Sequence, residues 1–223
     1  MLFFLYEVTL MEKVIESLKK NNINVITAAT KAEIPAIVEG MLFEGAKISA
    51  GGSVSVKECG VWDVINKPCY RFFDRNKEGI TPEEQQQVFK EVIGCDFYFC
   101  SANAVTENGE LLNVDGFSNR ISAIAFGPKK VIMVVGKNKI VKDLNEAFLR
   151  VKRVAAPKNC VRLGIDNPCA KLGHCVSLLN NDNPSFTDGC RNPRRICVNY
   201  LVSGPQRPEK RLTVILCDED LGY

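Results

Sequence analysis

SANAVTENGELLNVDGFSNR, Ser101 to Arg120, is the stretch whose reading decides the fold. It follows CDFYFC at residues 95–100, a β-prone apolar run that suits a buried strand. Such a strand delivers Ser101, Asn103 and Thr106 to its C-terminal end, where open α/β sheets bind ligands. Asn108-Gly109 between β-prone flanks then predicts a hairpin through a type I′ turn, with positive φ at both residues. The return strand, residues 111–114, leads to a second turn at Asp115-Gly116, and Asn119-Arg120 open the apolar run ISAIAF. Turn geometry accounts for Asn108, Gly109 and Gly116. Asn103, Asn113, Asp115, Asn119 and Arg120 interrupt strand or helix segments. They point to a polar ligand pocket; the alternative is a polar network satisfied beneath a loop.

Working outward, the pattern alternates. An apolar stripe through Val8, Met11, Val14, Ile15 and Leu18 predicts a helix, ended by Asn21-Asn22. INVIT at 23–27 reads as a strand, and Thr30 with Glu33 has capping-box spacing ahead of a second helix. Residues 46–49 form a short strand, followed by Gly51-Gly52-Ser53 and a helix through Val64. A strand, Gly-Gly-Ser and a helix can aim backbone N–H groups at an anion; the plainer alternative makes Ser53 an N-cap. CYRFF at 69–73 is another strand, and Thr81-Pro82-Glu83-Glu84 is a strong helix start. KVIMVV at 130–135 reads as a buried strand, Lys137-Asn138-Lys139 follows it, and a helix over 143–155 ends at Pro157. Late strands fall at 198–202 and 211–217. The whole is α/β, a largely parallel sheet flanked by helices. It is organised as one domain over 1–223, with a helical N-terminal part over 1–45 and a cysteine-rich loop insertion over 167–200.

Composition narrows the function classes. At 46% hydrophobic and 25% charged, the chain is an ordinary globular sequence, and a net charge of +3 gives no argument for nucleic acid. The apolar opening MLFFLYEVTLM is too short to span a bilayer and lacks a signal-peptide pattern, so a cytoplasmic location with reduced thiols is expected. No GxGxxG is present, so no NAD or FAD is expected. Cys169, Cys175, Cys190 and Cys197 cluster in a loop-rich segment. They are candidate ligands for zinc or an iron–sulfur cluster, with redox-active or inert thiols as the alternatives. The remaining cysteines, Cys160 among them, read as small core hydrophobes.

On GGSVSVKECG (51–60), TPEE (81–84), NAVTENGELLNVDGFSNR (103–120), GPKKVIMVVGKNKIVKDL (127–144), AAP (155–157) and PCAKLGHC (168–175), the chain resembles the LUD-domain, or lactate-utilisation, family. The resemblance covers nearly the whole length. It departs in the segment between Cys175 and Cys190, which reads as an insertion of about twelve residues relative to the family's usual spacing. NAVTENGELLN is also distantly similar to a segment of sugar-phosphate isomerases and initiation factor 2B-type subunits, within the ribose-5-phosphate isomerase and CoA-transferase superfamily. There the position matching Asn103 is a catalytic Asp, so isomerase chemistry is not carried over.

The resemblance implies a component of L-lactate oxidation to pyruvate, working with iron–sulfur partner subunits. The expected ligand is a small anionic metabolite, bound at Gly51, Gly52 and Ser53 with Asn103, Thr106, Asn113, Asn119 and Lys137. Glu107, Glu110, Asp115 and Arg120 are the candidate catalytic groups, each with a surface charge or internal salt bridge as its plainer reading. The alternatives are a non-catalytic ligand sensor or assembly subunit, and an electron-transfer module built on the cysteines. A homo-oligomer is expected because related folds pair.

Overall fold

The structure is a computed structural model describing residues 2–208 and 210–223, with residues 2–9 described by backbone alone. Ten strands are assigned among the described residues: β1 Asn24–Ala28, β2 Lys47–Ala50, β3 Arg71–Phe73, β4 Phe97–Cys100, β5 Ala104–Thr106, β6 Leu111–Asp115, β7 Lys130–Gly136, β8 Ile140–Val141, β9 Asn199–Ser203 and β10 Leu212–Cys217. The helices are α1 Leu2–Lys20, α2 Ile34–Glu39, α3 Val54–Glu58, α4 Val61–Ile65, α5 Pro82–Ile93, α6 Asn119–Ala125, α7 Leu144–Arg150, α8 Ala156–Arg162 and α9 Pro168–Leu172.

Six strands form a wholly parallel sheet in the order β1-β10-β7-β4-β2-β3. Strands buried on both faces read as continuous apolar runs, and β7 shows why. Its Ile132 and Val134 join a core with Val56, Val61 and Ile65 of α3 and α4. Val131, Met133 and Val135 alternate to the other face, against Val14 and Leu18 of α1 and Ala123 and Ile124 of α6. β1 lies inside the N-terminal part and forms one sheet edge, so that part contributes a strand as well as helices.

A second sheet, β8-β5-β6-β9, carries the hairpin. Its turn differs from the type I′ expectation: Gly109 has φ +77°, but Asn108 is not among the residues with positive φ. Thr106 N donates to Glu110 O at 2.9 Å, so the loop has three residues with glycine in the left-handed position, an alternative hairpin solution. Glycine is required there twice over, because a Cβ would stand 2.6 Å from the Ser17 carbonyl carbon at the end of α1.

Two further expectations are corrected. The helix after Ser53 is broken into α3 and α4 at Gly60, whose φ is +70°. Pro157 does not end the helix begun at Asp143. A π-helical turn over Val151–Ala155 joins α7 to α8, and Pro157 falls in the first turn of α8, where a missing N–H is tolerated.

Candidate functional site

β2, β4 and β7 are neighbours in the large sheet, and their C-terminal ends open into one cleft of about 340 Å³. Each strand contributes through the segment after it. β2 runs into Gly51-Gly52-Ser53, where Gly51 N donates to Phe99 O at 2.8 Å and Ser53 Oγ caps α3 by accepting from Val56 N. β4 delivers Ser101 and Asn103; β7 delivers the 3₁₀ turn Lys137–Lys139.

The floor holds a lysine that the sequence reading passed over. Lys139 is 3% exposed and donates to Ser55 Oγ at 2.8 Å and Ser101 Oγ at 2.9 Å. Ser55 in turn donates to Leu221 O, and Ser101 to Ala102 O. No carboxylate pairs with Lys139 among the described residues. Burial, then repulsion from Arg150 and Arg120, pushes its pKa down to about 7. Two of its three nitrogen positions are therefore spent on the serines, leaving the third on a group that lines the cleft.

Arg75 and Arg162 also line the cleft and converge on Gly52. A Cβ there would lie 3.5 Å from Arg75 Nη2 and 3.8 Å from Arg162 Nη2. Among the described residues, Arg75 Nε is buried and donates to nothing. Arg162 Nε donates to Tyr223 Oη at 2.8 Å and Asn159 Oδ1 at 3.0 Å, so both residues help fix the guanidinium.

Asp115 is the one acid among the described residues lining the cleft, and its oxygens are fully engaged. Oδ1 accepts from Arg120 Nε at 2.9 Å, and Oδ2 accepts from the backbone N–H of Arg120 and of Ile121 at the start of α6. Arg120 also reaches Asn103 Oδ1 and the carbonyls of Ser101 and Val114, tying hairpin to strand. Ser118, just before α6, holds φ +62°, an unusual backbone for a non-glycine residue, and it lies beside the cleft.

Of the expected site residues, the cleft gathers Gly52, Ser53, Asn103, Asp115, Asn119 and Arg120, while Gly51 backs it against Tyr98 and Arg120. Asn113 is buried behind it, donating to Ser101 O at 3.1 Å. Others lie elsewhere. Thr106 donates to Glu110 Oε2 at 2.6 Å across the hairpin loop, and Glu107 pairs with Lys13 of α1. Lys137 reaches Asp218 at 3.3 Å.

The cysteine segment forms a separate, small cavity. Cys169, Cys175, Cys190 and Cys197 line it together with Cys160 of α8, Lys152 and Arg195. As the side chains stand, no three His, Cys, Asp or Glu among the described residues form a group that would hold a metal ion. The thiol chemistry suits a soft metal, but a full ligand shell requires the walls to close. No helix among the described residues is long and apolar enough to cross a membrane.

The LUD domain model matches residues 11–217. Among solved structures, a DUF162 family protein from Deinococcus radiodurans is similar at 12% identity and TM-score 0.53, covering 95% of this chain and 98% of that one. eIF2B beta from Chaetomium thermophilum is similar at 17% identity and TM-score 0.36, over 52% of this chain and 43% of that one. Among curated proteins none matches. With the model spanning nearly all of the sheet and cleft, the chain belongs to the LUD-domain family and is, at family level, a lactate-utilisation-associated protein.

Proposed function

We propose that the cleft binds a small anionic metabolite, a hydroxy- or keto-carboxylate, and that the chain serves L-lactate oxidation to pyruvate as one component beside iron–sulfur partner subunits. One observation carries this reading: Arg75, Arg162 and Lys139 bring positive charge to a cleft whose single acid, Asp115, is already paired with Arg120. An arginine fork suits a carboxylate. Conversion of lactate to pyruvate gives up two electrons and two protons. In this reading both protons, from the hydroxyl and from Cα–H, and both electrons leave to the partner subunits, while Lys139 supplies the charge that meets the anion. Glu107 and Glu110 lie at the hairpin loop, away from this cleft.

A non-catalytic, ligand-sensing role is the second reading, favoured by the full engagement of the cleft's one carboxylate. Calorimetric titration of L-lactate, pyruvate and phosphate at pH 7 tests binding. We expect one of the carboxylates to bind the wild type and Lys139→Met to bind at least tenfold more weakly. Equal affinity in the variant would overturn the reading; binding without turnover in the presence of the partner subunits would select the sensor.

A further inference from the structure

A second cavity, of about 470 Å³, lies between α5 and α6 over β2 and β4. Its existence follows from side-chain size. α5 presents Phe89, Val92 and Ile93, whereas α6 presents Ser122, Ala123 and Ala125, which are too small to fill the space opposite. The two helices approach closely at their C-terminal ends, where a Cβ at Gly127 would stand 3.0 Å from Ile93 Cα. At the rim Ile93 is 57% exposed and Phe126 76%. Exposed apolar side chains around a concave, apolar space are the pattern of a ligand pocket.

This cavity adjoins the cleft, because Arg75 and Asn119 line both. Arg75 is the informative one. Its backbone carbonyl accepts from Gln85 Nε2 of α5 at 3.1 Å, which holds it at the junction. Its Nε is buried and has no partner among the described residues. Gly51 stands between Tyr98 of the cavity and Arg120 of the cleft. A Cβ there would meet Tyr98 Oη at 3.1 Å and Arg120 Cδ at 3.4 Å, so the partition between the two spaces is thin. A guanidinium with an open donor thus stands where an apolar space meets a cationic one.

We propose that the cleft and this cavity together bind one amphipathic acid, a 2-hydroxy- or 2-keto-carboxylate with an apolar tail of several carbons. Its head meets Arg75, Arg162 and Lys139, and its tail lies between α5 and α6. The inference rests on the anion reading of the cleft and names the substrate class of that site. Size carries it. Each of the two spaces alone falls in the range of pockets for drug-sized ligands, about 300–1,000 Å³, whereas a three-carbon acid occupies only the cationic one. Lactate is then the smallest member of the class, its methyl group falling short of the cavity. Each further methylene buried against Phe89, Tyr98 and Phe126 is worth about fourfold in affinity, so three of them strengthen binding by up to about 60-fold.

The test is calorimetric titration of L-lactate and L-2-hydroxyhexanoate into the full chain at pH 7. The six-carbon acid should bind at least about tenfold more tightly than L-lactate. In Ala125→Phe, which fills the cavity from an exposed helical position, that ratio should fall to about one. A wild-type ratio below about threefold overturns the inference and leaves the anion reading standing, while binding of neither acid overturns both. A full ratio kept in Ala125→Phe also overturns the inference. Should that variant fail to fold, Phe126→Ala at the exposed rim decides: the ratio should drop at least about threefold, and an unchanged ratio overturns the inference.

Discussion

The cleft and the cysteine cavity meet along α8 and Ile196, and both gather cations that no carboxylate fully offsets. They differ in openness. The cleft is wide, and its cations come from the segment after β3 (Arg75), the end of α8 (Arg162) and the turn after β7 (Lys139), so in the proposed reading their anion enters from outside. The cavity is small, about 20 Å³, and its cations Lys152 and Arg195 stand among thiols and backbone carbonyls. Asn159 and Arg162 of α8 line the cleft while Cys160, between them, lines the cavity. An unbalanced cation is therefore informative only together with the space beside it.

The largest expected effect comes from the one carboxylate that does balance a cleft cation. Asp115→Asn leaves Arg120 unpaired and weakens the start of α6. It should lower stability by on the order of 3 kcal/mol in urea unfolding. A change below about 0.5 kcal/mol would mean that the Asp115–Arg120 pair does not organise the hairpin. Next, Arg75→Ala should weaken anion affinity about 10- to 100-fold by calorimetry.

Lys139 gives a pH signature. Its pKa is about 7 in the folded chain and ordinary for lysine when unfolded, so between these values the unfolded state holds more protons. Stability from this group therefore rises with pH above 7, and its penalty is complete below 7. Unfolding free energy of the wild type relative to Lys139→Met should climb by up to about 1.4 kcal/mol per pH unit between pH 7 and 9. Parallel curves would remove the buried-amine account. The smallest effect is expected at the hairpin tip. Glu107→Gln should change stability by less than about 1 kcal/mol and leave anion affinity alone, because its partner Lys13 is largely exposed.

Much of this was legible in the sequence. The hairpin was marked by Asn108-Gly109, the cap by Ser53, and the start of α5 by Thr81 and Glu84, whose capping box is fully formed. These are local signals with local causes. The cleft was less legible because its charges come from distant segments: Arg75 follows β3, and Arg162 ends α8. Lys137 was the lysine expected at the ligand, with Lys139 given no role after the apolar run of β7. The 3₁₀ turn sends one to Asp218 and the other beneath Ser55 and Ser101. Thr106 and Glu110 are close to the cleft in sequence, but the hairpin carries them away from it. Cys160 resembled a core residue and is fully buried; its sulfur contacts with Cys169 and Asn167 distinguish it.

The most direct measurement is proton uptake on ligand binding. L-lactate or pyruvate is titrated by calorimetry at pH 8 in buffers of different ionisation enthalpy. An anion beside Lys139 raises its pKa, so binding should draw up to about one proton per chain from the buffer, and this uptake should vanish in Lys139→Met. Binding with no proton uptake, or with the same uptake in Lys139→Met, would contradict the account that the buried lysine meets the anion.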